Sequence, residues 1–434
     1  MRFSFRRLRR HAASAPKRGR ALIKSLGPGL VAGAADDDPS GIATYSQAGA
    51  QFGLGMLWTA VLTFPLMVGI QIVSARIGRV TGLGIAANIR AHYSKPLLVF
   101  IVTLLTLANI LNLGADLGAM AAAMHLVAGG NYHAYLVGFA VFSLALQVFI
   151  PFPRYAPLLK LMTLSLLAYV GAVLFVEVNW GVVLRRAVWP SFTWSREYLL
   201  TLVAVLGTTI SPYLFFWQAG QEVEELRSIP SNAPLRDSPD GARAQLRRIK
   251  IDTYLGMAFS NLVALFIMIT TAATLNTAGI TDIQTTQQAA EALRPLAGEY
   301  AFLLFTLGVV GTGLLAVPIL AGSAAYAVSE AFGWRASLSE RPLTATGFYG
   351  VMIAATLVGV ALTFNDVDPI RELFWSAVLN GVIAVPIMAV MMRLAVRADV
   401  MGSFVITRRL KFLGWLCTGV MATAVIATIV SSVT

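Results

Sequence analysis

Long apolar stretches alternate with short polar connections along almost the whole chain. A helix needs about 20 apolar residues to cross a membrane. Eleven stretches are long enough, and they lie near 26–53, 55–77, 97–124, 134–152, 156–177, 199–226, 251–275, 299–332, 344–364, 370–393 and 410–431. Unpaired backbone amides are too costly in hydrocarbon, and the stretches are too long for the strands of a membrane barrel. The pattern therefore predicts an all-α integral membrane protein.

Two of these spans are interrupted in the same way, by polar residues next to a proline. The first span is interrupted at 35–41, around Pro39, and the sixth at 207–213, around Pro212. Five spans fit between corresponding points of the two breaks, and an odd offset of five inverts the second set in the membrane. Matched breaks in two inverted halves are typical of the substrate site of a secondary transporter.

The spans and breaks together divide the chain into four parts. Residues 1–25 form a basic cytoplasmic tail, 26–177 the first five-helix repeat, 199–395 the second, inverted repeat, and 408–431 an eleventh transmembrane helix. The longest polar connection, 227–250, is expected to be a flexible cytoplasmic loop.

Composition leaves little room for anything outside the membrane. Of the 434 residues, 57% are hydrophobic and 12% are charged, whereas about 25% of a soluble domain is charged. The single cysteine, Cys417, lies in an apolar span and cannot form an internal disulfide. These observations argue against a soluble enzyme, a disordered scaffold and a disulfide-stapled secreted module.

The net charge of +12 is distributed unevenly along the chain. Of the 33 Lys and Arg residues, nine lie in the tail, and 28 lie on the tail's side of the membrane when the connections are assigned alternately. Because cytoplasmic loops are enriched in Lys and Arg, the N-terminus is expected in the cytoplasm and the C-terminus outside a cytoplasmic (inner) membrane. The tail then faces anionic lipid rather than nucleic acid, although an organelle presequence has a similar composition.

The first break places carboxyl groups at membrane depth. Pro39 lacks an amide hydrogen, so the carbonyls just before it lose their helical partners and become available as ligands. A charged Asp38 costs at least about 2.5–3.5 kcal/mol there, which suggests a bound cation; the alternative is a cap for the half-helix that starts at Ser40. Asp36 and Asp37 either line a cytoplasmic vestibule or belong to a hydrated helix end.

The second break offers oxygen ligands of a similar kind. The carbonyls of Thr208 and Thr209 and the hydroxyl of Ser211 suit Mg²⁺, Mn²⁺ or Ca²⁺ better than Cu(I). Ser211 is alternatively an ordinary turn residue before a proline. Two further polar residues lie inside apolar spans. Asp116 either binds or passes an ion or hydrogen-bonds the broken first helix, and Asn380 either completes the cage or pairs with a neighbouring helix.

No residue pattern indicates an enzyme. The sequence has neither a nucleophile beside a base nor a closed set of metal ligands of the hydrolase type. No cofactor is expected, because the metal ion is the cargo. A purely structural membrane protein would give no reason for two matched breaks with a buried carboxylate. The expected partners are divalent metal ions and the lipid bilayer, with no sign of nucleic acid or of an obligate protein partner.

The residues at both breaks resemble those of the Nramp divalent-metal transporters. The likeness is clearest at 27–29, 38–53, 75–82 and 207–213. The resemblance implies a LeuT-type fold, in which a 5+5 inverted repeat with broken helices 1 and 6 is followed by an eleventh helix.

The resemblance also implies metal ligands in the first and third helices. The family's Asp-Pro-Gly-Asn motif begins here at Asp38, which takes the place of the metal-binding Asp. The family's carbonyl ligand corresponds to Ala35, and its Asn ligand is replaced by Gly41. In the third helix, Asp116 is retained, but the family's Glu is replaced by Ala119.

In the sixth helix the family's carbonyl ligand corresponds to Thr208, whereas its Met is replaced by Ser211 and its His by Tyr213. The missing Met removes a soft donor that favours Mn²⁺ and Fe²⁺, and Gly41 leaves room for a partly hydrated Mg²⁺. The missing His and Glu belong to the family's proton route. The sequence is thus most similar to the Nramp-related magnesium transporters, which implies import of Mg²⁺ and Mn²⁺ without proton coupling. The alternatives are a proton-coupled Mn²⁺/Fe²⁺ symporter of the Nramp family and an organic-substrate symporter of the same fold.

Overall fold

The computed structural model describes residues 27–151, 154–155, 161, 163–228, 233–340, 342–364 and 367–433. The predicted tail at 1–25 and part of the predicted fifth span lie outside these residues. Every regular element within them is helical, which confirms the all-α class.

Eighteen α-helices lie in the described part of the chain. They are α1 (Pro28–Asp36), α2 (Pro39–Phe52), α3 (Leu57–Thr81), α4 (Ile85–His92), α5 (Lys95–Ala128), α6 (Tyr132–Phe149), α7 (Leu167–Ala172), α8 (Trp180–Val188), α9 (Arg196–Thr209), α10 (Pro212–Ser228), α11 (Ala242–Thr271), α12 (Thr286–Glu291), α13 (Arg294–Ala297), α14 (Ala301–Phe332), α15 (Thr346–Leu362), α16 (Pro369–Ala395), α17 (Ala398–Met401) and α18 (Arg408–Val433). Eight helical runs among the described residues are long and apolar enough to cross a membrane. Large apolar side chains such as Phe100 and Leu357 are exposed on the outside of the bundle, where lipid replaces water.

Both predicted breaks are present. α1 ends at Asp36 and α2 begins at Pro39, while α9 ends at Thr209 and α10 begins at Pro212. Each proline occupies the first position of a half-helix, where its missing N–H would have no helical partner anyway. The last carbonyls of α1 and α9 therefore remain available at the two breaks.

Close glycine contacts hold the broken helices in the centre of the bundle. A Cβ on Gly33 of α1 would lie 2.2 Å from the carbonyl carbon of Gly256 of α11. A Cβ on Gly207 of α9 would lie 2.1 Å from the carbonyl oxygen of Ala377 of α16. Such distances leave no space for a side chain, so the backbones touch directly.

The connection before α11 differs from its prediction. α11 begins at Ala242, so the last part of the predicted loop 227–250 is helical. Earlier in this connection, the amides of Leu235 and Arg236 donate to carbonyl oxygens at the end of α3, at 3.3 and 3.0 Å. The expectation of a flexible loop is wrong for these residues, because the segment is tied to the bundle by backbone hydrogen bonds and by the buried side chain of Leu235.

Candidate metal site

Asp38 lies between the two halves of the first span. Its Oδ1 accepts a hydrogen bond from the amide of Gly41 at 2.7 Å, so the carboxyl group caps α2. Its Oδ2 accepts a hydrogen bond from Nδ2 of Asn112 on α5 at 3.1 Å and lies 3.3 Å from the hydroxyl oxygen of Tyr213 on α10. One oxygen therefore organises the break, while the other faces the second broken helix.

Tyr213 joins the two breaks. Its hydroxyl oxygen lies 2.9 Å from the carbonyl oxygen of Ala35, near the end of α1, and 3.3 Å from Oδ2 of Asp38. A phenol has one proton, so it donates to one of these acceptors at a time. Because both acceptors lie within hydrogen-bond distance of one atom, the Ala35 carbonyl and the Asp38 carboxyl group converge on the same point.

Hydrogen bonds order the break in the sixth span. The hydroxyl oxygen of Ser211 lies 2.7 Å from the carbonyl oxygen of Thr208 and 3.0 Å from that of Gly207. Ser211 thus donates to the preceding turn, as expected for its alternative role, yet its lone pairs can still bind a cation. The hydroxyls of Thr209 and Tyr45 lie 2.9 Å apart, which makes a second contact between the broken helices.

Asn112, which the sequence pattern did not single out, links the first break to α16. Its Nδ2 donates to Asp38 and, at 3.4 Å, to Oδ2 of Asp116. Its Oδ1 accepts from the hydroxyl of Ser376 at 2.8 Å and from Nδ2 of Asn380 at 3.4 Å. Asn380 thus pairs with a neighbouring helix and reaches Asp38 through Asn112. The signal in the sequence was the four-residue spacing of Asn112 and Asp116, which places both on one face of an apolar helix.

Asp36 and Asp37 are each 1% exposed, so they do not lie at a hydrated helix end. The hydroxyl oxygen of Ser260 on α11 lies 2.6 Å from Oδ2 of Asp36 and 3.1 Å from Oδ1 of Asp37. Oδ1 of Asp36, Oδ2 of Asp37 and Oδ1 of Asp116 have no hydrogen-bond partner. Buried acceptors without a donor are uncommon, and these oxygens are free to contact a cation.

Gly41 lies between the two breaks. A Cβ at this position would be 3.2 Å from the carbonyl oxygen of Asp36 and 3.5 Å from the hydroxyl oxygen of Thr208. A longer side chain here would therefore enter the space between α1 and α9. The ring carbon Cε2 of Tyr45 lies 3.4 Å from the same point, so two oxygen atoms and one aromatic ring border this position.

The carboxyl groups at the site have no cationic partner within the described residues. None of the ion pairs found there involves Asp36, Asp37, Asp38 or Asp116. The carbonyls at the ends of α1 and α9, which lack a helical backbone partner, add partial negative charge. In the part of the chain that the structure describes, no three His, Cys, Asp or Glu side chains converge as a metal cluster. The geometry suits a cation held by one carboxylate and several neutral oxygens.

A cavity of about 270 Å³ lies beyond the breaks, between α2, α9 and the start of α16. Its lining includes Gln47, Gln51, Glu197, Thr201 and Asp282. The cavity lies towards the end of the bundle opposite the N-terminus of α1, and its lining is divided between polar side chains, Arg371 among them, and apolar ones such as Phe374 and Trp375.

The predicted site residues fall into three groups. Ala35, Asp38, Gly41, Thr208, Ser211 and Tyr213 surround the paired breaks. Asp116 and Asn380 lie one hydrogen bond further away, through Asn112. Asp36 and Asp37 face Ser260. Ser260 and Ser376 were missed because isolated serines in apolar helices are too common to indicate a site.

Comparisons with known proteins agree with this architecture. The family model described as Nramp, natural resistance-associated macrophage protein-like, matches residues 29–431. A histidine-to-alanine mutant of the Eremococcus coleocola manganese transporter is 18% identical, with a TM-score of 0.75 over 95% of this chain and 87% of that chain. The same transporter in complex with an aromatic bis-isothiourea substituted compound is 19% identical, with a TM-score of 0.73 and the same coverage.

A more distant structure has the same helical arrangement. Mhp1, a nucleobase-cation-symport-1 family transporter in a closed conformation with bromovinylhydantoin bound, is 13% identical, with a TM-score of 0.58 over 94% of this chain and 92% of that chain. These matches show the fold alone, and they confirm a LeuT-type arrangement with broken helices 1 and 6. The repeat boundaries 26–177 and 199–395 stay predictions.

Proposed function

Because this chain belongs to the Nramp family, we propose that it imports Mg²⁺ and Mn²⁺ across the cytoplasmic membrane by alternating access and without proton coupling. Members of this family are membrane transporters of divalent metal ions, so the chain is a transporter and not an enzyme. The ion, its ligands and its coupling are inferred from the residues at the breaks.

Asp38 is the proposed anionic ligand. The carbonyls of Ala35 and Thr208 and the hydroxyl of Ser211 complete the cage, directly or through water. The contact of the Tyr213 hydroxyl with both Ala35 and Asp38 supports this assignment, because it brings the ligand atoms of the first break to the second broken helix. A bound cation would turn the Ser211 proton away from Thr208, which frees both oxygens together.

The surrounding polar residues orient the ligands and extend the path. Asn112 holds Asp38, and Asn380 holds Asn112, so neither needs to touch the ion. Asp116, Asp36 and Asp37 carry buried oxygens without donors, and we assign them to the path along which the ion moves.

The donor set favours Mg²⁺ as well as Mn²⁺. All proposed ligand atoms are oxygens, and Ser211 stands where the family has a thioether. Mg²⁺ gives up its water reluctantly and prefers oxygen ligands, and Gly41 adds no side chain to the region between the two breaks.

Proton coupling is not required by the energetics. A divalent ion that moves inward down the membrane potential gains about 4.6 kcal/mol per 100 mV. The positions of the family's proton-route His and Glu are Tyr213 and Ala119. A phenol keeps its proton at neutral pH and alanine has none to release, so neither side chain exchanges a proton for a metal ion.

The proposed orientation places the N-terminus in the cytoplasm and the C-terminus outside. It rests on the distribution of Lys and Arg among the connections. The N-terminal end of α1 then faces the cytoplasm, and the cavity beside α2 faces outward.

Metal uptake into proteoliposomes that contain a pH dye tests the proposal, with Mg²⁺, Mn²⁺ and Ca²⁺ compared side by side. Entry of Mg²⁺ and Mn²⁺ without internal acidification is expected, and Asp38→Ala should abolish it. Asp237→Asn, at an exposed position outside the bundle core, is the matched control. Entry of Mn²⁺ alone together with acidification would instead identify a proton-coupled symporter.

A further inference from the structure

One carboxyl group of α11 holds the N-terminus of α1. Oδ1 of Asp252 accepts hydrogen bonds from the amides of Gly27 and Leu30 at 3.0 and 3.2 Å, and Oδ2 accepts one from Gly29 at 2.7 Å. Pro28 has no amide hydrogen, so Asp252 satisfies every N–H group from 27 to 30. Because α1 has no side-chain cap of its own, its start is fixed by a neighbouring helix.

The same face of α11 also contacts the other end of α1. Asp252, Gly256 and Ser260 follow one another at intervals of four residues, which places them on one helix face. A Cβ on Gly256 would lie 2.3 Å from the carbonyl oxygen of Gly29, and Ser260 donates to Asp36. We call Asp252, Gly256 and Ser260 the α11 clamp. The clamp contacts α1 from its first turn to its last.

Ion pairs connect the clamp to the second broken helix. Arg248, one turn before Asp252, pairs with Glu222 and Glu225 of α10 at 2.6 and 2.9 Å. Glu222 is completely buried and also lies 3.8 Å from Arg79 of α3. These contacts close the end of the bundle at which α1 begins.

α1 itself separates this closed end from the proposed metal site. Its last turns carry the carbonyl of Ala35 and the carboxyl group of Asp36, so a displacement of α1 from α11 would open a path between those groups and the end of the bundle. Asp252 makes more hydrogen bonds to α1 than any other clamp residue. Its bonds must break if the first turn of α1 is to leave α11.

We propose that Asp252 controls the release of the metal ion into the cytoplasm. While Asp252 binds the amides of α1, the cytoplasmic side is closed, and separation of the two opens it. The proposal rests on the proposed transport function and its orientation. Asp252 touches no proposed ligand and acts by positioning α1. Its loss should therefore change the side from which the metal site is accessible, and it should leave the metal ligands themselves unchanged.

The test measures the accessibility of α1 in the reconstituted full-length protein. The single cysteine is removed by Cys417→Ala, and a reporter is introduced by Ala32→Cys. Ala32 lies on α1 and is fully buried, so a membrane-impermeant thiol reagent on the cytoplasmic side reaches it only when α1 moves. Asp252→Asn is compared with Asp237→Asn, which removes the same charge from a side chain that is 55% exposed in the connection before α11.

Asp252→Asn should raise the modification rate roughly tenfold or more, because it removes a charged cap and shifts the population towards the open state. Asp252→Glu, which keeps the carboxyl group, should restore a rate near that of the parent, and Asp237→Asn should leave it unchanged. In uptake assays, Asp252→Asn should raise the KM for external metal more than it lowers the maximal rate, because fewer molecules face outward. A parental modification rate in Asp252→Asn would overturn the proposal.

Gly256→Ala tests the clamp without a change of charge. Its new Cβ meets the backbone of α1, so α1 must shift, and the modification rate should rise here too. Gly350→Ala, whose Cβ meets nothing within 4 Å, is the control. If Asp252→Asn does not fold, an unchanged rate in Gly256→Ala overturns the proposal.

The thiol modification is measured without metal, so it does not depend on transport. A failure of wild-type uptake would contradict the proposed function, whereas an unchanged modification rate would contradict the role of the clamp.

Discussion

The two carboxyl oxygens of Asp38 have different roles. Oδ1 caps α2 through the amide of Gly41, and Oδ2 faces Asn112 and Tyr213. Asp38→Asn keeps an acceptor for the cap but loses the charge, whereas Asp38→Ala loses both. Both variants should lower metal uptake by more than about 100-fold. This loss is larger than the one expected when a residue that only hydrogen-bonds a metal ligand is changed. Only Asp38→Ala should also lose about 1 kcal/mol of stability through the missing cap.

Uptake and thermal unfolding in detergent, measured on the same preparations, separate these effects. Equal stability of the two variants would show that the cap contributes little. Near-normal uptake by Asp38→Asn would remove Asp38 from the proposed ligands.

Asn112 should affect affinity more than folding. Asn112→Ala removes the donor that orients Asp38, and we expect the KM for metal to rise about 10–100-fold. Asn109→Ala is the matched control, because Asn109 lies on the same helix and donates to the carbonyl of Leu320 at 3.1 Å, away from both breaks. Equal KM values in the two variants would contradict a role for Asn112 in the site.

Ser211 should contribute to the selectivity between Mg²⁺ and Mn²⁺. Ser211→Met replaces a hard oxygen with a soft thioether, so uptake should shift from Mg²⁺ towards Mn²⁺. A change of roughly tenfold in the ratio of the two KM values corresponds to about 1.4 kcal/mol. Competition between the two ions in one vesicle preparation measures it, and an unchanged ratio would argue that Ser211 lies outside the metal's reach.

At the scale of elements, the half-helix α9 depends on its glycine contact with α16. A Cβ on Gly207 would lie 2.1 Å from the carbonyl oxygen of Ala377 and 2.5 Å from the amide nitrogen of Gly381. Gly207→Ala should therefore cost about 1–3 kcal/mol through overpacking. Thermal unfolding in detergent measures the loss. Gly138→Ala on α6, where a Cβ meets nothing within 4 Å, should not lower the unfolding temperature, because alanine favours a helix over glycine.

The sequence located most helices but misplaced the start of α11. Hydropathy alone excludes the residues before 251 from the predicted span, because Arg248 and its neighbours are polar. Their partners lie in other helices, with Gln245 bonded to Arg79 and Arg248 paired with Glu222. A polar segment that finds buried partners cannot be told from a loop by its composition. The prolines at the two breaks gave a clearer signal, because their effect on the backbone is local.

At the scale of the whole molecule, apolar length predicted eleven spans, and eight helical runs among the described residues are long and apolar enough to cross a membrane. The two breaks were indicated by polar residues next to a proline. The hydrogen-bond network around Asn112 could not be predicted from these patterns, because it joins α5 to α16 across 264 residues of chain. One sequence shows that Asn112 and Asp116 share a helix face, but it does not show which helix packs against that face. The fold was therefore more predictable than the connections between the site residues.

The paired breaks are sealed from both surfaces, since Asp38, Thr208, Ser211 and Tyr213 are at most 3% exposed. An ion held there has no continuous aqueous route, so every ion that crosses requires one complete cycle of the protein. Vesicles preloaded with unlabelled Mn²⁺ should then accept tracer Mn²⁺ faster than empty vesicles. A carrier that returns with an ion bound avoids the conformational change of the empty carrier. An open pore would show no such counterflow.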